Sequence, residues 1–321
     1  MSHIKHEHRA ARRHALAMMG ATLLATALPV RAQAAREVRI GYQKYGTLTL
    51  LKGRGSLEQR LAGRNISVKW TEFPAGPVLL EGINVGSIDF GTVGEAPPIF
   101  AQAAGANLVY VGHEPPSPAS EAIVVPKGSA LRTLADLKGK KIALNKGSNV
   151  HYLLVKALEK AGIAYKDVQT VFLPPADARA AFERGAVDAW AIWDPFLAAA
   201  EHQLGARALA DGTGLVANHQ FYLASRPYAE KNGDIVAIVL EELAKVDDWG
   251  RQHLAEVAAI LSKQTGLEPA VLERAARRYS YGVLPVTPGV IAEQQKIADV
   301  FTNLKLIPSP IVVKNAQLAA R

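Results

Sequence analysis

From Arg36 to about Ile192 the chain alternates short apolar runs with segments of helical period, and this alternation restricts the possible folds more than any other feature. Val38–Tyr42, Ile66–Phe73, Ile88–Val93 and Leu108–Gly112 read as strands; Leu48–Leu61, Val78–Val85 and Pro97–Ala104 read as helices. The last two helices close at Gly86 and Gly105, where glycine is the favoured stop. Strand–helix alternation of this kind predicts an α/β fold with a mainly parallel sheet. The cluster Glu114-Pro115-Pro116-Ser117-Pro118 interrupts the pattern and reads as a linker. A second α/β unit follows, with strands Ala122–Val125, Lys141–Leu144, Thr170–Leu173 and Ala186–Ile192 and helices Asn149–Ala161 and Ala176–Glu183.

The two units echo each other. Leu79–Gly94 reads LLEGINVGSIDFGTVG, and Ala178–Trp193 reads ARAAFERGAVDAWAIW. Each is a helix, then Gly-x-[Ile/Val]-Asp, then a strand, with Asp89 and Asp188 in matching places. Taken alone this is common turn chemistry. Together with the linker it predicts two related lobes with a cleft between them, where ligands tend to sit. After Phe221–Ser225 the pattern is helical (Ile235–Asp248, Leu254–Thr265, Pro269–Tyr279, Pro288–Lys305), and these helices are expected to return to the first lobe and buttress it.

Residues 1–34 read as a cleavable secretory leader rather than as part of the fold. Lys5, Arg9, Arg12 and Arg13 form a basic start, Ala15–Val30 is apolar over 16 residues, and Ala32-Gln33-Ala34 is a small-residue cleavage signature. That apolar stretch is short of the roughly 20 residues a spanning helix needs. Arg12-Arg13 followed by Leu16 hints at twin-arginine export, and ordinary export fits as well. The chain has no cysteine, so neither a disulfide nor a lipidated thiol is available. The formal charge of +8 falls to +4 once the leader is removed, leaving 32 basic against 28 acidic residues. With no dense basic stripe, nucleic acid is a poor candidate partner.

Catalytic signatures are missing. There is no Gly-x-Ser-x-Gly elbow, no phosphate-cradling GxxxxGK[ST] and no His-Glu-x-x-His, and the histidines beyond the leader (His113, His151, His202, His219, His253) lack metal-ligand spacing. No cofactor or metal is called for. Binding features are present. Lys146–His151 joins a strand to a helix, with Ser148 placed as N-cap, and the free N–H groups of the following turn suit an anion. Simple capping by Ser148 and Asn149 would look the same. Gly91–Pro98 is the equivalent turn of the first lobe, with Pro97 and Pro98 suited to a helix start. Trp193 falls at the mouth of the strand that Trp190 and Ile192 anchor in the core, and so is the better ligand candidate of these tryptophans.

With these residues in view, the chain resembles the periplasmic aliphatic-sulfonate-binding proteins of ABC importers. IGYQK (Ile40–Lys44), EFPAGP (Glu72–Pro77), NVGSIDFG (Asn84–Gly91), PPIFAQAAGANLVYVG (Pro97–Gly112), PADARAAFERG (ending at Gly185), VDAWAIWDPF (Val187–Phe196) and FYLASRPYAEKNG (Phe221–Gly233) carry the resemblance by their order and spacing. It implies a two-lobed type II periplasmic binding protein fold, with crossovers near Pro118–Ala122 and His219–Ala224. Lobe 1 is then residues 36–117 plus 224–321, and lobe 2 is 118–223. The implied function is capture of alkanesulfonates as a sulfur source, as a monomer, for a permease and its ATPase in the inner membrane. The implied cleft residues are Gln43, Thr92, Gly94, Glu95, Ser148, Asn149, His151, Trp193 and Asp194.

A sulfonate is a permanent anion, so neutral donors and a helix N-terminus can hold it without a proton donor. Glu95 would repel it unless it turns away, pairs with a cation such as Lys44, or meets an amine on the ligand. Taurine, nitrate, sulfate esters and pyrimidine precursors are alternative ligands on the same architecture. An enzyme acting on a pyrimidine-like precursor and the effector domain of a regulator are alternatives of a different kind.

Overall fold

The computed structural model describes residues 36–318. The expected leader, its paired arginines and the cut after Ala34 lie outside those residues. Among the described residues no helix is long and apolar enough to cross a membrane.

The first half of the chain builds β1 (Arg36–Tyr42), α1 (Gly46–Arg54), α2 (Ser56–Ala62), β2 (Ile66–Glu72), α3 (Gly76–Asn84), β3 (Phe90–Gly94), α4 (Pro97–Ala103) and β4 (Leu108–His113). Then come β5 (Glu121–Val125), β6 (Lys141–Leu144), α5 (Asn149–Lys160), β7 (Gln169–Phe172), α6 (Pro175–Glu183), β8 (Ala189–Trp193), α7 (Phe196–Leu204), β9 (Arg207–Asp211) and β10 (Gln220–Ser225). The chain ends in α8 (Arg226–Lys231), α9 (Gly233–Gly250), α10 (Leu254–Thr265), α11 (Pro269–Ala276) and α12 (Pro288–Asn303).

Two five-stranded sheets result, ordered β2-β1-β3-β10-β4 and β7-β6-β8-β5-β9. Four strands of each run parallel, and the fourth place in the order is filled by the one antiparallel strand: β10 between β3 and β4, β5 between β8 and β9. The two lobes share one topology, and the chain crosses between them twice, as the resemblance implies. β10 lies wholly in the first sheet, so Gln220–Leu223 stand with lobe 1 and the return crossing precedes them, earlier than the expected break at 223/224.

The internal echo has a common cause. Asp89 accepts from the Arg39 N–H at 2.9 Å, and Asp188 accepts from the Lys141 N–H at 2.8 Å. The two aspartates thus tie the start of β3 to β1 and the start of β8 to β6. Gly86 and Gly185 precede them with φ of 71° and 68°, the left-handed turn that glycine adopts without strain.

The core is layered on both faces of each sheet. In the first lobe Val38, Ile40 and Tyr222 pack on one face, Phe221, Leu223 and Ile88 on the other. In the second, Ile123, Val125 and Ala191 oppose Val124, Trp190 and Ile192. β3 and β5 are buried along their whole length, as expected of strands covered on both sides.

Three local expectations change. The helix expected over Leu48–Leu61 breaks into α1 and α2 at Gly55, whose φ is 67°. α7 and the edge strand β9 carry little periodic signal and were not anticipated. The C-terminal helices do more than buttress the first lobe. α9 packs Ile235, Val239 and Leu243 onto it, but α11 sets Val271 and Ala275 against Ala198 and Ala199 of α7, in the second.

Candidate functional site

The ends of β1 and β3, the start of α3, the return strand and the start of α5 converge on one cleft. Lobe 1 contributes Gln43, Tyr45, Gly76, Gly94, Pro97 and Gln220; lobe 2 contributes Ser148, Asn149, Trp193 and Asp194. Ser120 and Asn218 come from the two crossings, and Tyr279 from the segment after α11. Among the described residues, none that lines the cleft is a lysine or arginine.

Six of the polar side chains join in one hydrogen-bonded circuit. Gln43 Nε2 donates to the Tyr45 hydroxyl and to the Thr92 carbonyl, both at 3.2 Å. Tyr45 donates to Gln220 Oε1 at 2.8 Å, and Gln220 Nε2 donates to Asn218 Oδ1 at 3.4 Å. Asn218 Oδ1 also accepts from Asn149 Nδ2. Asn218 Nδ2 donates to the Ser117 carbonyl at 2.9 Å and to Ser120 Oγ at 3.0 Å. Asn149 closes the circuit across the lobes, its Oδ1 accepting from the Ala96 N–H at 3.1 Å.

Two helices of different lobes begin at the cleft. α3 starts at Gly76 and α5 at Asn149, and neither is capped by a side chain. The Ser148 hydroxyl donates to the Asn145 carbonyl at 2.7 Å instead of capping α5 as the sequence suggested. Uncapped N-terminal N–H groups, reinforced by the helix dipole, favour an anion. The enclosed space is about 30 Å³, enough for a water or two. A larger ligand therefore displaces side chains or parts the lobes.

The geometry can be set beside known proteins. The family model described as NMT1/THI5 like matches residues 64–249. A putative aliphatic sulfonates-binding protein of Escherichia coli (strain K12) is 46% identical over 301 residues, covering 93% of this chain and 94% of the relative. The chain belongs to the NMT1/THI5-like family and, within it, to the aliphatic-sulfonate-binding proteins. Solved members of this sulfonate-binding group have the same fold. The alkanesulfonate-binding protein SsuA from Xanthomonas axonopodis pv. citri bound to MOPS matches with TM-score 0.85 and 46% identity, over 88% of this chain and 98% of that one. The periplasmic aliphatic sulphonate binding protein SsuA from Escherichia coli matches with TM-score 0.80 and 46% identity, over 89% and 94%.

Of the nine residues that resemblance to the sulfonate-binding family singled out, Gln43, Gly94, Ser148, Asn149, Trp193 and Asp194 line the cleft. Thr92 stands behind it, its carbonyl fixing Gln43. Glu95 turns away, as one of its three anticipated options allowed. Its Oε2 accepts from the His219 N–H at 3.0 Å, and burial pushes the carboxyl up to about 7. Lys44 pairs with Glu72, not Glu95. His151 also points away. Its Nδ1 accepts from the Gly147 N–H at 3.2 Å, which leaves Nε2 to donate to the Tyr165 hydroxyl at 2.7 Å. Burial pushes this imidazole down to about 4, so it stays neutral.

Asp194 is engaged structurally. It accepts from the Ala198 N–H at 2.9 Å and pairs with Arg278 at 3.2 Å. Burial outweighs that pairing and lifts its carboxyl to about 6. Arg278 also holds Glu201 of α7, so the C-terminal segment grips the second lobe through both acids.

Sequence reasoning missed Tyr45, Gly76, Ser120, Asn218, Gln220 and Tyr279. Asn218 alone had a usable signal, since asparagine is among the few residues that tolerate its φ of 52°.

Proposed function

We propose that this chain captures an aliphatic sulfonate in the periplasm and delivers it to an ABC importer, and that it does so as a binding protein without chemistry. The observation that carries this reading is the cleft itself, where neutral side-chain donors from both lobes and two uncapped helix starts converge and, among the described residues, no lysine or arginine lines the walls. Oriented neutral dipoles suit an anion that never takes up a proton. Trp193 supplies an apolar face for the first carbons of the ligand tail. The likeness to sulfonate-binding relatives supports the same ligand class.

In this mechanism the anion settles between the starts of α3 and α5 while the lobes close about their two crossings. Asn149 then completes the contact with Ala96, and the closed surface is presented to a permease. A ligand ammonium meeting Glu95 has no support, because that carboxyl faces the His219 side of the crossing.

The test is thermal unfolding of the mature protein with methane-, butane- and octanesulfonate, taurine, sulfate, nitrate and a pyrimidine precursor. A ligand at about 100 times its Kd stabilises by about 2.7 kcal/mol, a shift of several degrees. Shifts with alkanesulfonates and none with nitrate or the pyrimidine are expected. A flat response to every sulfonate defeats the reading.

A further inference from the structure

Beside the cleft, the facing sides of α3 and α4 form a second cavity of about 230 Å³. Its walls are Pro77 and Leu80 of α3 and Pro97, Phe100 and Ala101 of α4, with Ala104 at the far end. Gly147 of the second lobe covers it, and Glu81 and Lys146, both exposed, stand at the rim. It adjoins the cleft: Pro97 lines both, Gly76 and Pro77 are consecutive, and so are Gly147 and Ser148.

We propose that this groove holds the organic tail of the sulfonate whose head sits in the cleft, and that it sets the preferred tail length. The inference rests on the sulfonate reading above. The cleft encloses about 30 Å³ with amide and hydroxyl side chains around it, whereas the adjoining groove is several times larger and walled mainly by apolar side chains. A head and tail of opposite character are thereby sorted. The other sizeable cavity, about 320 Å³, carries Glu95, Glu293 and Lys296 among its lining and shares no residue with the cleft, so it has no wall in common with the anion site.

Gly147 is required for the cover. Its φ is +74°, and a Cβ there would meet the Phe100 ring at 3.2 Å. From Pro97 to Ala104 the groove runs about 10 Å along the helix axis, enough for a medium-length alkyl chain.

The experiment is calorimetric titration of the mature protein with methane-, butane- and octanesulfonate, repeated on Ala104→Trp. Ala104 is exposed at the end of α4, so an indole there fills the outer groove without disturbing the core. In the unaltered protein each methylene that enters the groove tightens binding about fourfold. In Ala104→Trp, octanesulfonate is expected to weaken tenfold or more, with methanesulfonate within twofold. Equal affinity for butane- and octanesulfonate in the unaltered protein overturns the groove as tail site. So does an Ala104→Trp protein that binds octanesulfonate normally or loses all three ligands alike. If the unaltered protein binds no sulfonate at all, the sulfonate reading fails first and the groove assignment fails with it.

Discussion

Asn149 lies against the bare backbone of Gly94 so closely that a Cβ at Gly94 would stand 2.0 Å from Asn149 Oδ1. Closure therefore depends on the absence of one methyl group. The Asn149 amide has little room to yield, because Ala96 and Asn218 hold both its ends. Gly94→Ala is expected to weaken methanesulfonate binding at least tenfold, with the ligand-free melting temperature moved by no more than a few degrees. Adding Asn149→Ala should recover part of the loss, since the two sites touch and their effects are not additive. Titration of the single and double variants checks both points, and an unimpaired Gly94→Ala protein removes the contact from the binding step.

Arg278 is the next point of dependence. The Asp194 side chain is fully buried and Arg278 is 18% exposed, so the ion pair is mostly shielded from water. Removing one partner of such a pair leaves a buried charge, a loss of up to about 3–5 kcal/mol; the partial exposure of Arg278 and the ability of Asp194 to take up a proton put the expected cost on the order of 2 kcal/mol. Arg278→Gln should lower the urea midpoint accordingly. Adding Asp194→Asn, which deletes the stranded charge, should restore part of it.

Stability should vary with pH in a direction uncommon for acidic groups. Burial raises the Glu95 carboxyl from 4.5 to about 7; burial and then repulsion from Asp247 raise Glu114, and burial raises Asp247 as well. A group whose pKa is higher folded than unfolded contributes stability that is complete below its unfolded value and is lost as pH rises through its folded one. For Glu95 that loss begins near pH 4.5 and finishes just above pH 7, so only its last part falls above pH 6.5. His151, held neutral with its pKa lowered from 6.5 to about 4, acts in the opposite sense below pH 6.5. The melting temperature should therefore fall by a few degrees from pH 6.5 to 8.5. Each group losing its proton contributes up to about 1.4 kcal/mol per pH unit. Glu95→Gln should flatten the slope, and an unchanged slope would assign the effect to other groups.

The lobes, the crossings and six cleft residues were legible because each leaves a local mark. Gly94 and Ser148 sit at strand-to-helix turns, and Trp193 ends an apolar run. Glu95 and His151 were misplaced because sequence position does not give direction. Glu95 follows Gly94 by one residue, and successive residues of an extended chain face opposite sides. His151 lies two residues into α5, where the turn of the helix carries it round toward Tyr165. Tyr45, Gln220 and Tyr279 come from segments far apart in the chain that only tertiary folding unites, and Tyr45 and Tyr279 stack at 6.3 Å with nothing in the sequence to mark the pair.

Trp193 gives the most direct optical check. The chain has four tryptophans. Trp190 is buried in the second lobe, and Trp70 and Trp249 pack on the core of the first, so Trp193 is the one that lines the cleft. Its ring packs nearly at right angles to that of Phe196, with centroids 6.2 Å apart. A sulfonate carbon arriving there changes the surroundings of this indole alone. Alkanesulfonates should alter the intrinsic fluorescence of the unaltered protein, and Trp193→Phe should abolish most of that change while keeping affinity within severalfold. Trp193→Ala, which removes the wall, should weaken butanesulfonate about tenfold and methanesulfonate much less. Equal losses for the two ligands would place Trp193 at the anion rather than at the first carbons of the tail.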